Sequence, residues 1–272
     1  IYIGTEVENK DYLNGRISSV IDRNHFFNNF ADDRQGTFVY IDGISSNEER
    51  VIYVPIEIKG GNTFTNTDEQ GSQIFTQWKN LIIDEVTFSC NTSAIIPNIN
   101  FRALETRQNG ITTLTRCTFN RNGFTSDGFS EENGFAICIK GGEVQIEGCN
   151  FIDGQRSNEK YVIYKEGNTS ESLKIFNSNF NFSSIFSSSG AVCVHNWNTV
   201  TIQNTTFTKC CTNPGNAQFA SAFTYGLGNL DDGDKNNCVV KFENCSFTNC
   251  DRELSNGGNP QDGARIIYTN FG

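Results

Sequence analysis

Acid–base chemistry on a polysaccharide needs paired carboxylates, and lyases typically add a Lys or Arg that neutralises an acidic sugar. The sequence offers Asn66–Asp68 and the pair Asp231 and Asp232 as candidate strings, and its two histidines are His25 and His195. The two acidic strings lie more than 160 residues apart, and neither histidine has a partnered string around it. Turn residues are therefore the favoured interpretation, and no catalytic residue is predicted.

Two further strings are candidates for ligand binding. Asp231, Asp232 and Asp234 surround a glycine, and such close carboxylates can hold Ca²⁺ through their oxygens. Their spacing is not that of an EF-hand, so a solvated acidic turn is the favoured interpretation. Trp197 lies between two predicted strands, where its ring could stack on a sugar or cover a coil edge, and packing is favoured. No cofactor other than calcium is a candidate.

A repeat determines where these residues lie. Six copies of one pattern consist of an alternating apolar strand, a small polar residue and then Phe, and they end at Phe88, Phe119, Phe151, Phe180, Phe207 and Phe247. Weaker copies end at Phe26 and Phe64. The mean separation is about 31 residues, which is typical of solenoid repeats. The residue before each of the six Phe is Thr, Asn or Ser, and a second strand precedes most copies.

The composition excludes several protein classes. Leu and Ala, the best helix formers, number only 8 and 9, whereas Asn numbers 35, so a mostly helical chain is not expected. The net charge of -10 argues against a nucleic-acid surface. No apolar run approaches the roughly 18 residues of a membrane span. The sequence therefore predicts an all-β protein.

Each repeat is too small to bury its own apolar face, but stacked repeats bury it continuously. We therefore predict a right-handed parallel β-helix of about eight coils with loops of variable length, forming one domain over residues 1–272. Successive coils would lie about 4.8 Å apart. A β-sandwich does not need equivalent residues every 31 positions, and a propeller blade needs about 40–50 residues.

The ten cysteines lack the Cys-x-x-Cys spacing of a zinc ribbon, which disfavours a structural zinc site. Two pairs share a register in adjacent coils, namely Cys117 with Cys149 and Cys210 with Cys250. Stacking would bring each pair within disulfide range, and a ladder of reduced thiols is the alternative. Cys138 and Cys193 lie two coils apart, and we expect them to be inward-facing free thiols. Disulfides would place the protein outside the cytosol.

Asn-x-Ser/Thr sequons permit N-glycosylation at Asn91, Asn168, Asn181, Asn204 and Asn244. Chance alone gives about six such strings in a chain this rich in Asn, so they do not argue for modification. Asn204 and Asn244 both lie three residues before a repeated Phe, and we expect them to be used together or blocked together.

The strings Phe26–Asn29 and Phe119–Asn122, with Gly190–Val192 and Gly263–Ala264, resemble the repeats of polymorphic outer-membrane proteins. The resemblance covers residues 17–272. It implies a parallel β-helix at a cell surface with adhesive or structural roles, and it carries over no catalytic residue.

Two function classes follow from these observations. The first is a non-catalytic, extracellular or cell-surface structural or adhesive protein with cell-surface or carbohydrate ligands. The second is a polysaccharide-degrading lyase or hydrolase on the same fold, since the fold does not decide between them. Ile1–Ile3 and Gly263–Tyr268 read as uncapped strands, which predicts head-to-tail self-association into a filament, or a stretch of a longer fibrous protein.

Overall fold

A computed structural model describes residues 2–3, 19–27, 39–41, 56–66, 71–76, 80–90, 101–106, 110–120, 136–152, 161–166, 171–182, 190–195, 199–210, 222–226, 239–250 and 267–270. All regular secondary structure in these ranges is β-strand, and the strands form three sheets. The prediction of an all-β fold is confirmed.

Sheet A runs, from one edge to the other, through β1 (Tyr2–Ile3), β4 (Val39–Ile41), β7 (Gly71–Thr76), β10 (Phe101–Thr106), β13 (Ile137–Lys140), β16 (Tyr161–Glu166), β19 (Gly190–His195), β22 (Phe223–Gly226) and β25 (Ile267–Asn270). Sheet B runs through β2 (Ser19–Asp22), β5 (Ile56–Lys59), β8 (Asn80–Asp84), β11 (Ile111–Thr115), β14 (Glu143–Glu147), β17 (Ser172–Phe176), β20 (Thr199–Gln203) and β23 (Val240–Glu243). Sheet C runs through β3 (His25–Phe27), β6 (Thr63–Asn66), β9 (Thr87–Cys90), β12 (Thr118–Asn120), β15 (Asn150–Ile152), β18 (Asn179–Asn181), β21 (Thr206–Thr208) and β24 (Ser246–Thr248).

Every strand from β1 to β22 pairs in parallel with the strand three positions later in the chain. Each coil thus contributes one strand to each sheet, which is the topology of a parallel β-helix. Sheets B and C contain eight strands each, in agreement with the predicted eight coils. Right-handedness and the single domain over 1–272 stay predictions.

The repeated Phe residues form a continuous stack along the inner side of sheet C. Its members are Phe26, Phe64, Phe88, Phe119, Phe151, Phe180, Phe207 and Phe247. Successive ring centroids lie 4.5–5.2 Å apart, and the interplanar angles are 1–13°. Rows of Ile, Leu and Val from sheets A and B form most of the remaining core, as their alternation predicts.

A left-handed residue three positions before the stacked Phe separates each sheet B strand from the sheet C strand that follows, and in the second coil Gly60 is left-handed as well. These residues are Arg23, Gly61, Glu85, Arg116, Gly148, Asn177, Asn204 and Asn244, with φ between +49° and +81°. A left-handed conformation costs a non-glycine residue about 1–2 kcal/mol. Its recurrence in all eight coils shows that the corner is a required bend, and the contacts formed beside it offset the cost.

Candidate functional site

The outer face of sheet C is the most regular described surface. One row, immediately before the stacked Phe, consists of His25, Thr63, Thr87, Thr118, Asn150, Asn179, Thr206 and Ser246. The second row, immediately after it, consists of Phe27, Thr65, Ser89, Asn120, Ile152, Asn181, Thr208 and Thr248. We call these sixteen residues the sheet C face. Thr, Ser or Asn fills seven of eight positions in the first row and six of eight in the second.

Alternation along each short strand creates this face, because the Phe between the two rows points inward. The sheet C face is half-buried to exposed, and several of its polar groups bond from coil to coil. His25 Nδ1 lies 2.6 Å from Thr63 Oγ1, and Thr65 Oγ1 lies 3.0 Å from Ser89 Oγ. The Thr206 hydroxyl donates to Asn179 Oδ1. These contacts hold short side chains in a fixed two-row array. The first row was visible in the sequence, whereas the second was missed.

A hydrogen-bonded ladder runs inside the corner that follows each left-handed residue. This corner ladder consists of Asn24, Asn62, Val86, Cys117, Cys149, Ser178, Thr205 and Cys245, each two residues before a stacked Phe. The Cys117 N–H donates to Cys149 Sγ at 3.4 Å, and the Cys149 N–H donates to Ser178 Oγ at 3.1 Å. The Asn24 N–H likewise donates to Asn62 Oδ1 at 2.8 Å. Asn62, Cys149, Ser178 and Thr205 thus each accept an N–H from the preceding coil, whereas Val86 occupies the equivalent position without a hydrogen-bonding side chain.

The same side chains also donate within their own coil. Cys149 Sγ donates to Glu147 O at 3.5 Å, Ser178 Oγ donates to Phe176 O at 2.8 Å, and Thr205 Oγ1 donates to Gln203 O at 3.0 Å. In each bond the acceptor carbonyl is two residues earlier. Thiol and hydroxyl therefore play one role at this position.

The predicted register of Cys117 and Cys149 is confirmed, because the residues that follow them, Thr118 and Asn150, are paired. Both side chains are free thiols in the structure, so the disulfide stays a prediction. A hydrogen bond with Cys149, together with burial, raises the pKa of Cys117 well above its usual range. A protonated, buried thiol is a poor nucleophile.

Cys210 and Cys250 also lie in adjacent coils as predicted, just after the paired residues Thr208 and Thr248. Both are buried and are not joined by a disulfide in the structure, and each follows a left-handed residue as in the corner ladder. Cys250 Sγ donates to Phe207 O at 3.2 Å. Their disulfide likewise stays a prediction.

The prediction that Cys138 and Cys193 face inward was wrong. Both are buried, but with Tyr164 they form a cluster separate from the main core. Ile137 and Ile139, which flank Cys138, belong to the main core, so alternation turns the thiol to the opposite face of sheet A. Tyr164 pairs with both cysteines in register, which confirms that they lie two coils apart. Burial raises the pKa of Cys193.

A buried ion pair lies inside the β-helix, and it was not among the predictions made from the sequence. Lys165 is fully buried in the row that contains Ile139 and Val194. Its Nζ donates to Gly142 O at 2.7 Å and lies 3.3 Å from Glu171 Oε2. Burial lowers the pKa of Lys165, and Glu171 partly opposes this shift. The signal available in the sequence was a lysine in phase with inward-facing aliphatic residues.

Three of the five sequon asparagines lie in described segments. Asn181, Asn204 and Asn244 are all exposed. Asn204 and Asn244 occupy the left-handed corner position, and Asn204 Nδ2 donates to Asn177 Oδ1 at 3.2 Å. Asn181 belongs to the sheet C face.

Of the other sequence candidates, the structure describes Asn66 and the two histidines. Asn91, Asn168, Trp197, Asp231, Asp232, Asp234 and Asp68 lie outside the described residues. His25 lies on β3 in sheet C and His195 on β19 in sheet A, so the two histidines belong to different sheets. Within the described ranges, no group of three or more His, Cys, Asp or Glu side chains could hold a metal ion.

The part of the chain that the structure describes contains no helix long and apolar enough to cross a membrane. Comparison with protein-family models, with curated proteins and with solved structures gave no match to this chain. The resemblance to polymorphic outer-membrane protein repeats therefore stays an interpretation of the sequence.

Proposed function

We propose that this chain is a non-catalytic structural or adhesive protein that works outside the cell or at its surface. One observation carries the proposal: every coil from the second to the last places Thr, Ser or Asn on the sheet C face, and none of its sixteen residues is Asp, Glu, Lys or Arg. Such uniformity suits a surface that acts by repetition. An enzyme on this fold instead depends on one local cluster of acid, base and cationic groups.

Assembly into filaments is part of the same proposal. In the described sheets, β2 and β3 have a strand neighbour on one side only, and so do β23 and β24 at the other end. Unpaired strand edges template further pairing, and a head-to-tail contact need not close. Large exposed apolar side chains occur in both end coils, at Val20 and Phe27 in the first and at Val239 in the last.

Three measurements test the proposal on the full chain. Incubation with acidic and neutral polysaccharides should release no shortened products, whereas clear depolymerisation would establish the enzyme class instead. Antibody labelling should stain intact cells of the source organism as strongly as permeabilised cells, and staining only after permeabilisation would contradict a surface location. Electron microscopy with light scattering should show end-to-end assemblies, and a monodisperse monomer at all concentrations would remove the filament.

A further inference from the structure

We propose that the sheet C face binds an extended, uncharged polysaccharide chain that lies along the long axis of the β-helix. The proposal deepens the adhesive function above and rests on it. It names the surface that adheres and the chemical class of its partner.

Charge is the first argument. None of the sixteen residues of the sheet C face is Asp, Glu, Lys or Arg, although the chain has a net charge of -10. The outward rows of sheet B, by contrast, carry Glu57, Lys59, Asp84, Glu147, Lys174, Lys241 and Glu243. An acidic polymer would be recognised through Arg or Lys, which the sheet C face lacks. An uncharged partner is therefore the complementary one.

Hydrogen-bonding chemistry is the second argument. Hydroxyls of Thr and Ser and amides of Asn both donate and accept hydrogen bonds. Sugar hydroxyls need donors and acceptors side by side, and the two rows supply both in every coil from the second to the last. These side chains are short, and the contacts between coils already order several of them, so little side-chain entropy remains to be lost on binding.

Shape is the third argument. Neighbouring strands in most sheets are rotated by roughly 20–25°. Successive Phe rings behind the sheet C face deviate from parallel by only 1–13°, so the stack indicates a flat strip. Seven steps between coils give a length of about 34 Å, and three-residue strands give a width of about 10 Å. A long, narrow, flat strip fits a single extended polymer chain.

A second copy of the protein fits the strip less well. The strip's area is about 340 Å² from these dimensions, whereas a stable interface buries about 800 Å² on each partner. A polymer does not need that area, because each additional coil it reaches adds contacts to a chain that is already bound. Affinity should therefore rise with oligosaccharide length until the ligand spans the strip.

The test uses the full chain from a host without N-glycosylation, with insoluble cellulose, chitin, β-1,3-glucan and mannan as neutral probes and polygalacturonate as the acidic one. The face variant combines Thr118→Ala, Asn150→Ala and Thr206→Ala. The control variant combines Thr113→Ala, Gln145→Ala and Thr201→Ala, which lie outward on sheet B in the same three coils. Circular dichroism and melting curves establish that both variants are folded.

We expect at least one neutral polysaccharide to retain the wild-type chain and the polygalacturonate not to retain it. The face variant should bind about tenfold or more weakly, and the control variant within about twofold, because only the former loses hydrogen bonds to sugar. Equal losses in both variants, binding to the acidic polymer alone, or no binding to any neutral probe would overturn the proposal. So would a dimer in sedimentation that the face variant abolishes. These outcomes concern the binding surface only. The proposed non-catalytic function would be overturned only by depolymerisation of a polysaccharide.

Discussion

The corner ladder leads to a test of whether Cys149 acts as a thiol or as half of a disulfide. Cys149 Sγ accepts the buried N–H of Cys117 and donates to Glu147 O, and Ser178 makes the equivalent bonds in the next coil. Cys149→Ser keeps both functions, so we expect it to lower the free energy of unfolding by about 1 kcal/mol or less. Cys149→Ala removes the acceptor for a buried N–H and should cost about 1–3 kcal/mol.

A disulfide would give a different pattern of losses. Cys117 and Cys149 are 32 residues apart, and closing a loop of that length is worth about 4 kcal/mol through the unfolded chain. Both substitutions would then cost at least that much, and the loss would disappear in reductant. The ladder and the disulfide are therefore separated by about 3 kcal/mol in the Ser variant.

Chemical denaturation with and without reductant measures the difference, and intact mass after alkylation counts the free thiols. Ser178→Ala is the matched control, because it removes the ladder acceptor of the Cys149 N–H at a position that cannot itself form a disulfide, and it should cost as much as Cys149→Ala. A wild-type chain that loses about 4 kcal/mol on reduction, with Ser as costly as Ala at position 149, would refute the thiol ladder and establish the disulfide.

Three further predictions concern the core. Lys165→Met should cost about 3–5 kcal/mol in urea unfolding because it leaves Glu171 buried without this cation, whereas Lys165→Met with Glu171→Leu should recover most of the loss; an unrecovered double variant would contradict this account. The pKa of Lys165 is lowered in the native state, so between that pKa and 10.5 the unfolded chain binds more protons than the native chain. The stability of the wild type relative to Lys165→Met should therefore rise with pH in that window. If melting curves show that this stability difference falls with pH, the sign is wrong. Phe151→Ala should cost about 3–5 kcal/mol, whereas Phe27→Ala, at a side chain 61% exposed, should change the melting temperature little; similar losses would argue against the Phe stack as the core.

The fold could be predicted because one residue type recurs in one register. Phe88, Phe119 and Phe151 each end an alternating strand, and an aromatic residue at a fixed phase can be buried in every coil only if the coils stack. Loops of variable length change the number of residues between successive Phe residues but not the position of each Phe within its strand. The sequence alone was therefore sufficient for the parallel sheets and for the eight coils.

The corners could not be predicted from single residues, because Arg23, Glu85 and Arg116 are not residues that favour positive φ. The equivalent positions in the other coils indicate the positive φ, because Gly148 and Asn204 occupy the same register and both favour that conformation. Equivalent positions in a solenoid share one backbone geometry, and the most permissive members reveal it.

The alternation of inward and outward residues along a strand explains the two sites that the sequence predictions missed or misassigned, Lys165 and Cys138. It places Cys138 opposite to its neighbours Ile137 and Ile139, and it places Lys165 in the core row with Ile139. A buried cysteine is compatible with either face, so its burial alone did not distinguish them. A lysine is expected outside, and only a partner such as Glu171, six residues later at the next corner, makes its inward phase acceptable.

The sheet C face and the glycosylation candidates impose conditions on each other. Asn181 lies in the second row of that face, whereas Asn204 and Asn244 lie at the corner beside it, in adjacent coils about 5 Å apart. A glycan on Asn181 would cover the central coils of the strip and exclude a bound polysaccharide, and glycans at the corner would project beside it. A fully modified chain would therefore suit the filament, shielded from lateral contacts, and an unmodified chain would suit adhesion. On the binding proposal above, modification of Asn181 should therefore abolish retention of the chain by a polysaccharide, and Asn181→Gln should restore it.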